Sequence, residues 1–112
     1  MAVYANISID QGSDFTSTVT VEGSDGIVFN LTGYTARGQI RKSYTSTTAV
    51  DFTAVINTPS LGAIQIALTA AQTRAMKAGR YLYDVEVVQT STSKVIRVVE
   101  GQVEINPSIT RT

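Results

Sequence analysis

The sequence predicts an all-β fold, an immunoglobulin-like antiparallel sandwich of seven or eight strands with one short helix before the penultimate strand. Three observations lead to this prediction. Apolar and polar residues alternate with a period of two along most of the 112-residue chain. Turn-forming residues interrupt the alternation about every 8 to 12 positions, as in sandwich proteins. Helix formers dominate only one segment, whereas a parallel α/β sheet would need several helices.

The first third of the chain predicts three strands. Alternation covers residues 5–9 and then residues 15–21, where threonines occupy the second face. The Gly-Ser-Asp-Gly run at residues 23–26 predicts a tight turn, because Asp-Gly is a strong turn signal. A third strand is expected at residues 27–31, where every second residue is a large apolar one.

The middle of the chain predicts three more strands, at residues 36–40, 52–56 and 64–68. In the first of them, small and apolar residues face inward and the polar residues between them face solvent. The turn-prone stretch at residues 44–48 precedes the second strand, and an Asn-Thr-Pro-Ser run at residues 57–60 follows it.

Residues 69–78 break the alternation and predict the one helix, because they are rich in helix formers. Thr69 followed by Gln72 matches a capping box, in which two side chains bond to the free amide groups at the start of a helix. Gly79 stands where a glycine would end the helix at its C′ position. The expected helix is about two turns long and crosses from one sheet to the other.

The residues after this helix match a tyrosine corner. Met76, Gly79 and Tyr81 have the apolar-x-x-Gly-x-Tyr spacing of that motif, in which a tyrosine hydroxyl bonds back to the main chain before the penultimate strand. The motif sharpens the immunoglobulin-like prediction, and a β-barrel stays open as the alternative. Cys and Trp are absent, so an antibody-type domain is not expected.

Two strands complete the predicted fold, at residues 81–87 and 95–105, and Gly101 within the second predicts a bulge or a bend. A chain of this length fits one domain, which we expect to span residues 1–112. Its core is expected at about residues 5–106, followed by a flexible polar tail at residues 107–112.

Charge and hydropathy restrict the kinds of partner that the chain is expected to bind. The chain has nine basic and nine acidic residues, scattered without a basic patch, so nucleic acid is not an expected partner. Its N-terminus lacks the pattern of a secretory signal, and no apolar run approaches the ~20 residues of a membrane helix. We therefore expect a protein made in the cytoplasm with no membrane partner.

The residue types for common catalytic chemistry are missing. Without His or Cys there is no usual general base, thiol nucleophile or thiolate metal site, so we expect no enzyme, no cofactor and no metal. Asp84 and Glu86 lie two apart and share one strand face, which would suit acid–base work or a Ca²⁺ site. The favoured interpretation is that both belong to a solvated face.

Exposed aromatic residues are the candidates for a protein interface. Tyr4, Tyr34 and Tyr44 fall at strand ends or in loops, where tyrosine offers contact area and a hydrogen bond. Tyr34 has the alternative of capping the core, which leaves Tyr44 as the better candidate. Arg41, in the Arg-Lys pair before Tyr44, is the fourth candidate.

Six segments share a characteristic order and spacing: residues 11–15, 30–35, 39–42, 62–69, 78–85 and 97–101. In these segments the chain resembles a family of short virion structural proteins of tailed phages of marine bacteria and cyanobacteria, and the resemblance covers about residues 8–107. The chain is also similar, more loosely, to the N-terminal immunoglobulin-like domain of siphophage upper baseplate proteins.

This resemblance implies a non-enzymatic structural component of the virion that binds other virion proteins in multiple symmetric copies. A tail, baseplate or fibre-anchoring module is the first expectation, and a capsid decoration protein is the alternative. A carbohydrate-binding module for host attachment is an alternative of another class. It would require a row of exposed aromatic residues, and the tyrosines are scattered along the sequence.

Overall fold

Two β-sheets pack face to face in the computed structural model, which describes residues 3–22 and 26–109, and the predicted immunoglobulin-like sandwich is confirmed. One helix, α1 (Ala70–Ala75), and one turn of 3₁₀-helix (Pro59–Leu61) accompany the strands. The strands of the described residues are β1 (Val3–Tyr4), β2 (Ile7–Asp10), β3 (Phe15–Thr20), β4 (Tyr34–Arg41), β5 (Val50–Asp51), β6 (Thr53–Thr58), β7 (Ala63–Leu68), β8 (Gly79–Gln89) and β9 (Val95–Asn106).

The larger sheet has the order β1-β9-β8-β4-β5, with β2 also pairing with β9, and the smaller sheet has the order β3-β7-β6. All neighbours are antiparallel except β1 and β2, which run parallel to β9. The helix α1 joins β7 of the smaller sheet to β8 of the larger one, as the sequence predicts.

Inward-facing residues of both sheets form one apolar core. They come from alternate positions, because successive side chains of a strand point to opposite faces. Burying each of these branched side chains stabilises the fold by roughly 1.5–3 kcal/mol before the cost of ordering the chain. The most deeply buried members are Ile9, Leu31, Ile40, Ile64, Ile66, Val85, Val87, Val103 and Ile105.

Phe52 carries the chain from one sheet to the other, between β5 and β6. Its amide N–H donates to the Gly38 carbonyl oxygen at 3.0 Å, and its side chain is buried. The ring lies 6.4 Å from that of Phe15 and 6.0 Å from that of Tyr83, measured between centroids. The strand predicted at residues 52–56 is present as β6, which begins one residue later and ends two residues later than expected.

The first predicted strand, at residues 5–9, is found as β2 at Ile7–Asp10, and Ala5 and Asn6 separate it from the short β1. The Asn6 side-chain oxygen accepts the Gln102 N–H at 3.1 Å, in place of a main-chain partner. The Ala5 carbonyl oxygen turns toward Gly101 and accepts the Tyr83 hydroxyl at 2.6 Å. Gly101 therefore marks a close approach of another main chain, one of the usual reasons for a glycine inside a strand.

The register of β8 and β9 shifts by one residue, three positions before Gly101. Val85 lies opposite Val99 and Glu86 lies opposite Arg97, so Val98 is the extra residue of a β-bulge. Both Val98 and Val99 are buried. The bulge that the sequence suggested at Gly101 is thus found at Val98.

The strand predicted at residues 27–31 is wrong. Only an isolated bridge joins Glu22 to Val28, and no strand of the described residues covers the segment. The N–H groups of Phe29 and Leu31 donate instead to loop and strand-end carbonyl oxygens of Val21 and Pro59, at 2.9 and 2.8 Å. These two N–H groups therefore have hydrogen-bond partners without a strand ladder. Residues 23–25 of the predicted turn lie outside the described residues.

The helix is shorter than predicted. The capping box of Thr69 and Gln72 is present, with bonds of 3.2 and 2.8 Å. The helix ends at Ala75, because Met76 is extended and sends its side chain into the core. Gly79 is therefore not the C′ residue. It begins β8 with a φ of +137°.

Of the predicted tail, the structure describes residues 107–109. The Ser108 N–H donates to the Gln11 side-chain oxygen at 3.1 Å, and Ile109 is exposed. Residues 110–112 lie outside the described residues. In the part of the chain that the structure covers, no helix is long and apolar enough to cross a membrane.

The tyrosine-corner bond is present after the helix. The Tyr81 hydroxyl donates to the Lys77 carbonyl oxygen at 2.7 Å, which is the backward bond that the motif predicts. The Lys42 ammonium lies 4.6 Å from the centre of the same ring. These contacts fasten the start of β8 to the segment after α1 and to the residue that follows β4.

Replacing Gly101 with Ala tests the close approach of Ala5. The new Cβ would overlap the Ala5 carbonyl oxygen, so we expect G101A to lower the free energy of unfolding by roughly 1–3 kcal/mol in urea denaturation. In a chain lacking residues 1–6, the same substitution should have almost no effect. An equal loss in both backgrounds would contradict this packing.

Replacing Tyr81 with Phe tests the tyrosine corner. We expect Y81F to lower the free energy of unfolding by about 1 kcal/mol, because it removes one hydrogen bond. Y34F is the matched control, since the Tyr34 hydroxyl has no hydrogen-bond partner among the described residues. Thermal denaturation of both variants would measure the difference, and equal stabilities would contradict the assignment.

Candidate functional site

A row of polar side chains crosses the outer face of the larger sheet. Tyr4 is paired with Glu100, Glu100 with Asp84, Asp84 with Gln39, and Gln39 with Asp51. Residues directly opposite each other in neighbouring strands share one face of a sheet. The five side chains therefore lie side by side across five strands, although the sequence separates them widely.

Ion pairs join this row to a second one. Arg37 bonds to Glu86 at 2.9 Å, and Arg97 lies 3.3 Å from Asp84 and 3.9 Å from Glu100. The bulge at Val98 makes this possible, because it reverses the alternation of β9 and turns Arg97 to the same face as Glu86. The pairs are partly exposed, so each contributes less than about 1 kcal/mol to stability and serves mainly to orient the groups.

Further hydrogen bonds hold the β4 side of the face. The Gln39 amide donates to the Asp51 carboxylate at 2.8 Å and its oxygen accepts from Arg41 at 3.0 Å. Arg41 also donates to the Ser46 carbonyl oxygen at 2.7 Å, which fixes the loop that carries Tyr44. The side chains are thus connected before any ligand arrives.

An open groove crosses the outer face of the larger sheet. Tyr4 and Tyr44 both line it, and their side chains are 63% and 84% exposed. The groove also contains four carboxylates and three guanidinium groups. Their opposite charges nearly balance, so the groove has no strong field of either sign.

Burial raises the pKa of two adjacent groups of β8, Asp84 on the outer face and Tyr83 on the inner face. It raises the pKa of the Asp84 carboxyl, and the neighbouring Glu86 carboxylate adds to the effect. Burial also raises the pKa of Tyr83 to about 12, with a smaller contribution from Tyr4. Tyr83 therefore keeps its proton near neutral pH and remains the donor to the Ala5 carbonyl oxygen.

The structure brings three of the four candidate interface residues together. Tyr4, Arg41 and Tyr44 all line the groove. Tyr34 does not. Its half-buried ring packs edge-to-face against Phe29, with 5.6 Å between centroids, and so takes the core-capping alternative.

Several residues of the groove were not singled out from the sequence. The sequence drew attention to Asp84 and its neighbour Glu86, but it did not identify Gln39, Arg97 and Glu100 as members of the same site. Alternation places Gln39 outward, so pairing the strands at residues 36–40 and 81–87 would have joined it to Asp84. Among the described residues, no cluster of Asp, Glu, His or Cys is arranged to hold a metal ion.

The outer face of the smaller sheet differs in character. Its pairs are Thr16 with Ala67, Thr18 with Gln65, and Thr20 with Ala63. On the other side of β7, Thr53 and Val55 are exposed. No charged residue occurs in β3, β6 or β7, so this face presents only neutral side chains.

Comparison with known proteins bears on the fold and not on the function. No protein-family model and no curated protein matches the chain. Among solved structures, it is similar to part of InlP from Listeria monocytogenes, with 16% identity and a TM-score of 0.50 over 94% of this chain and 28% of that one. It is also similar to part of a family 123 glycoside hydrolase from Clostridium perfringens, with 14% identity and a TM-score of 0.44 over 96% and 24%. The chain spans about a quarter of the length of each.

Replacing Asp84 with Asn tests the electrostatics of the groove. Because the folded-state pKa is raised, the ionised carboxylate destabilises the fold above that pKa, and the cost disappears below the unfolded-state value of about 4. We therefore expect D84N to be more stable than the parent at pH 7 and equal to it near pH 3, in urea denaturation. E104Q, an exposed carboxylate on the same sheet, is the charge control and should change neither value. A D84N variant less stable at pH 7 would mean that the ion pair with Arg97 outweighs desolvation.

Proposed function

We propose that the chain is a non-enzymatic structural component of a phage virion that binds other virion proteins as a tail, baseplate or fibre-anchoring module. The open edge of β3 is the structural observation that supports a binding role. The ordered resemblance over about residues 8–107 supports the virion setting. A capsid decoration protein is the alternative location, because the sequence does not separate the two.

The direction of the β3 main-chain groups follows from one hydrogen bond. The Val21 N–H donates to the Gly62 carbonyl oxygen at 2.8 Å, just beyond the β3–β7 ladder. In an antiparallel pair, residues alternate between those that bond to the partner strand and those whose groups point away. Counting back from Val21, the residues that point their N–H and C=O groups to the open edge are Thr16, Thr18 and Thr20.

β3 has none of the features that usually prevent another strand from pairing with a sheet edge. Edges of natural sheets are commonly blocked by charged residues, proline or bulges, and Phe15–Thr20 has none of these. No described residue outside β7 bonds to the main chain of this strand. The opposite edge, β6, has a register irregularity and follows directly from β5 of the other sheet. Edge pairing of this kind is a common mode of protein recognition.

Fractionation of the source particle into heads and tails, with mass spectrometry of each fraction, tests the location. We expect the protein to be enriched in tails, at a stoichiometry that reflects the ring to which it binds. Enrichment in heads would replace the tail assignment with capsid decoration. Absence from both fractions would contradict the virion proposal.

Replacing Thr18 with Pro tests the β3 edge. Proline removes an N–H that points away from β7, so the fold should remain intact while pairing with a neighbour is lost. We expect T18P to be incorporated into particles at least about tenfold less than the parent, measured by mass spectrometry. T18A keeps the N–H and is the matched control. Normal incorporation of a folded T18P would exclude the β3 edge as the interface.

A further inference from the structure

We propose that the groove on the outer face of the larger sheet binds a short, neutral oligosaccharide. The site is independent of the β3 edge and lies on the opposite sheet. Its components are the two exposed tyrosines, Tyr4 and Tyr44, and the connected polar row between them. Each of the next steps concerns one property of the groove.

The dimensions of the groove suit a small chain of sugar rings. Tyr4 on β1 and Gln39 on β4 stand at opposite ends of three strand pairings, each about 4.8 Å wide, so the floor spans about 14 Å. Tyr44 lies in the loop just beyond the end of β4. A span of about 14 Å accommodates two to three linked rings.

The polar row offers hydrogen bonds of both kinds. Gln39, Arg41 and Arg97 supply donors, and Asp84 and Glu100 supply acceptors, at positions fixed by their mutual bonds. A sugar hydroxyl both donates and accepts, so it can bond to neighbouring members of such a row. The row is held in place before binding, which lowers the entropy cost of forming a complex.

The balance of charge disfavours ionic ligands. With four carboxylates against three guanidinium groups, a phosphate, a nucleic acid or a strongly charged peptide would meet repulsion along with attraction. An apolar peptide would need a deep apolar pocket for an anchoring side chain. The exposed apolar surface here consists instead of aromatic rings at the two ends, which can stack against the C–H faces of sugars.

A carbohydrate array with the full chain tests the proposal. The probes are neutral di-, tri- and tetrasaccharides built from glucose, galactose, mannose or N-acetylglucosamine, and the strongest binder is then titrated by calorimetry. We expect at least one to bind, and we expect Y4A and Y44A each to weaken binding on the order of tenfold. Y44F, which keeps the ring, should bind nearly as the parent does.

V55A is the matched control, because Val55 is exposed on the smaller sheet, and it should bind as the parent does. Circular dichroism would verify that every variant is folded, which the high exposure of both tyrosines favours. An array without any binder would overturn the proposal, as would binding that Y4A and Y44A leave unchanged. Loss of particle incorporation in Y44A with no saccharide bound would instead make the groove a protein-docking face, which also overturns it.

The outcome is separable from that of the proposed virion role. T18P is expected to bind saccharide normally, because Thr18 lies on the other sheet, while its incorporation into particles falls. Saccharide binding that disappears in T18P as well as in Y44A would contradict two independent sites.

Discussion

The extra residue at Val98 is the constraint on which the larger sheet depends. Successive residues of a strand point to opposite faces of the sheet. One inserted residue therefore moves every side chain on one side of the insertion to the opposite face. With the bulge, Val98 and Val99 are both buried, and Arg97 joins Glu86 and Asp84 on the outer face. Without it, either the core would lose a valine or a charged guanidinium would point inward, at a cost of several kcal/mol.

The two sheets separate neutral and charged surface. All the ion pairs between described residues lie on the outer face of the larger sheet, while β3, β6 and β7 have no charged residue. A neutral strand edge is suited to association, since it presents unpaired main-chain groups without charge repulsion. A fixed polar groove is suited to a small polar ligand. The proposed partner surface and the proposed ligand groove therefore lie on different sheets.

The sequence was informative where structure is local. Period-two alternation predicted the strands that became β3, β4 and β7, and the Thr69–Gln72 spacing predicted the helix start. Alternation failed at residues 27–31, where loop carbonyl oxygens take the place of a ladder. The groove was only partly predictable, because single residues such as Tyr4 and Tyr44 are brought together by the register of several strands. The position of Arg97 in the groove depends in addition on the bulge at Val98, which adjacent valines signal only weakly.

The most direct measurement is the β8–β9 register in solution, from nuclear Overhauser effects between main-chain protons of the labelled protein. The bulged register predicts cross-strand contacts between Glu86 and Arg97 and between Val87 and Ile96. An unbroken ladder continuing from Val85 and Val99 would instead give contacts between Val87 and Arg97 and between Val88 and Ile96. The first result would establish the face on which the groove is built, and the second would remove Arg97 from it.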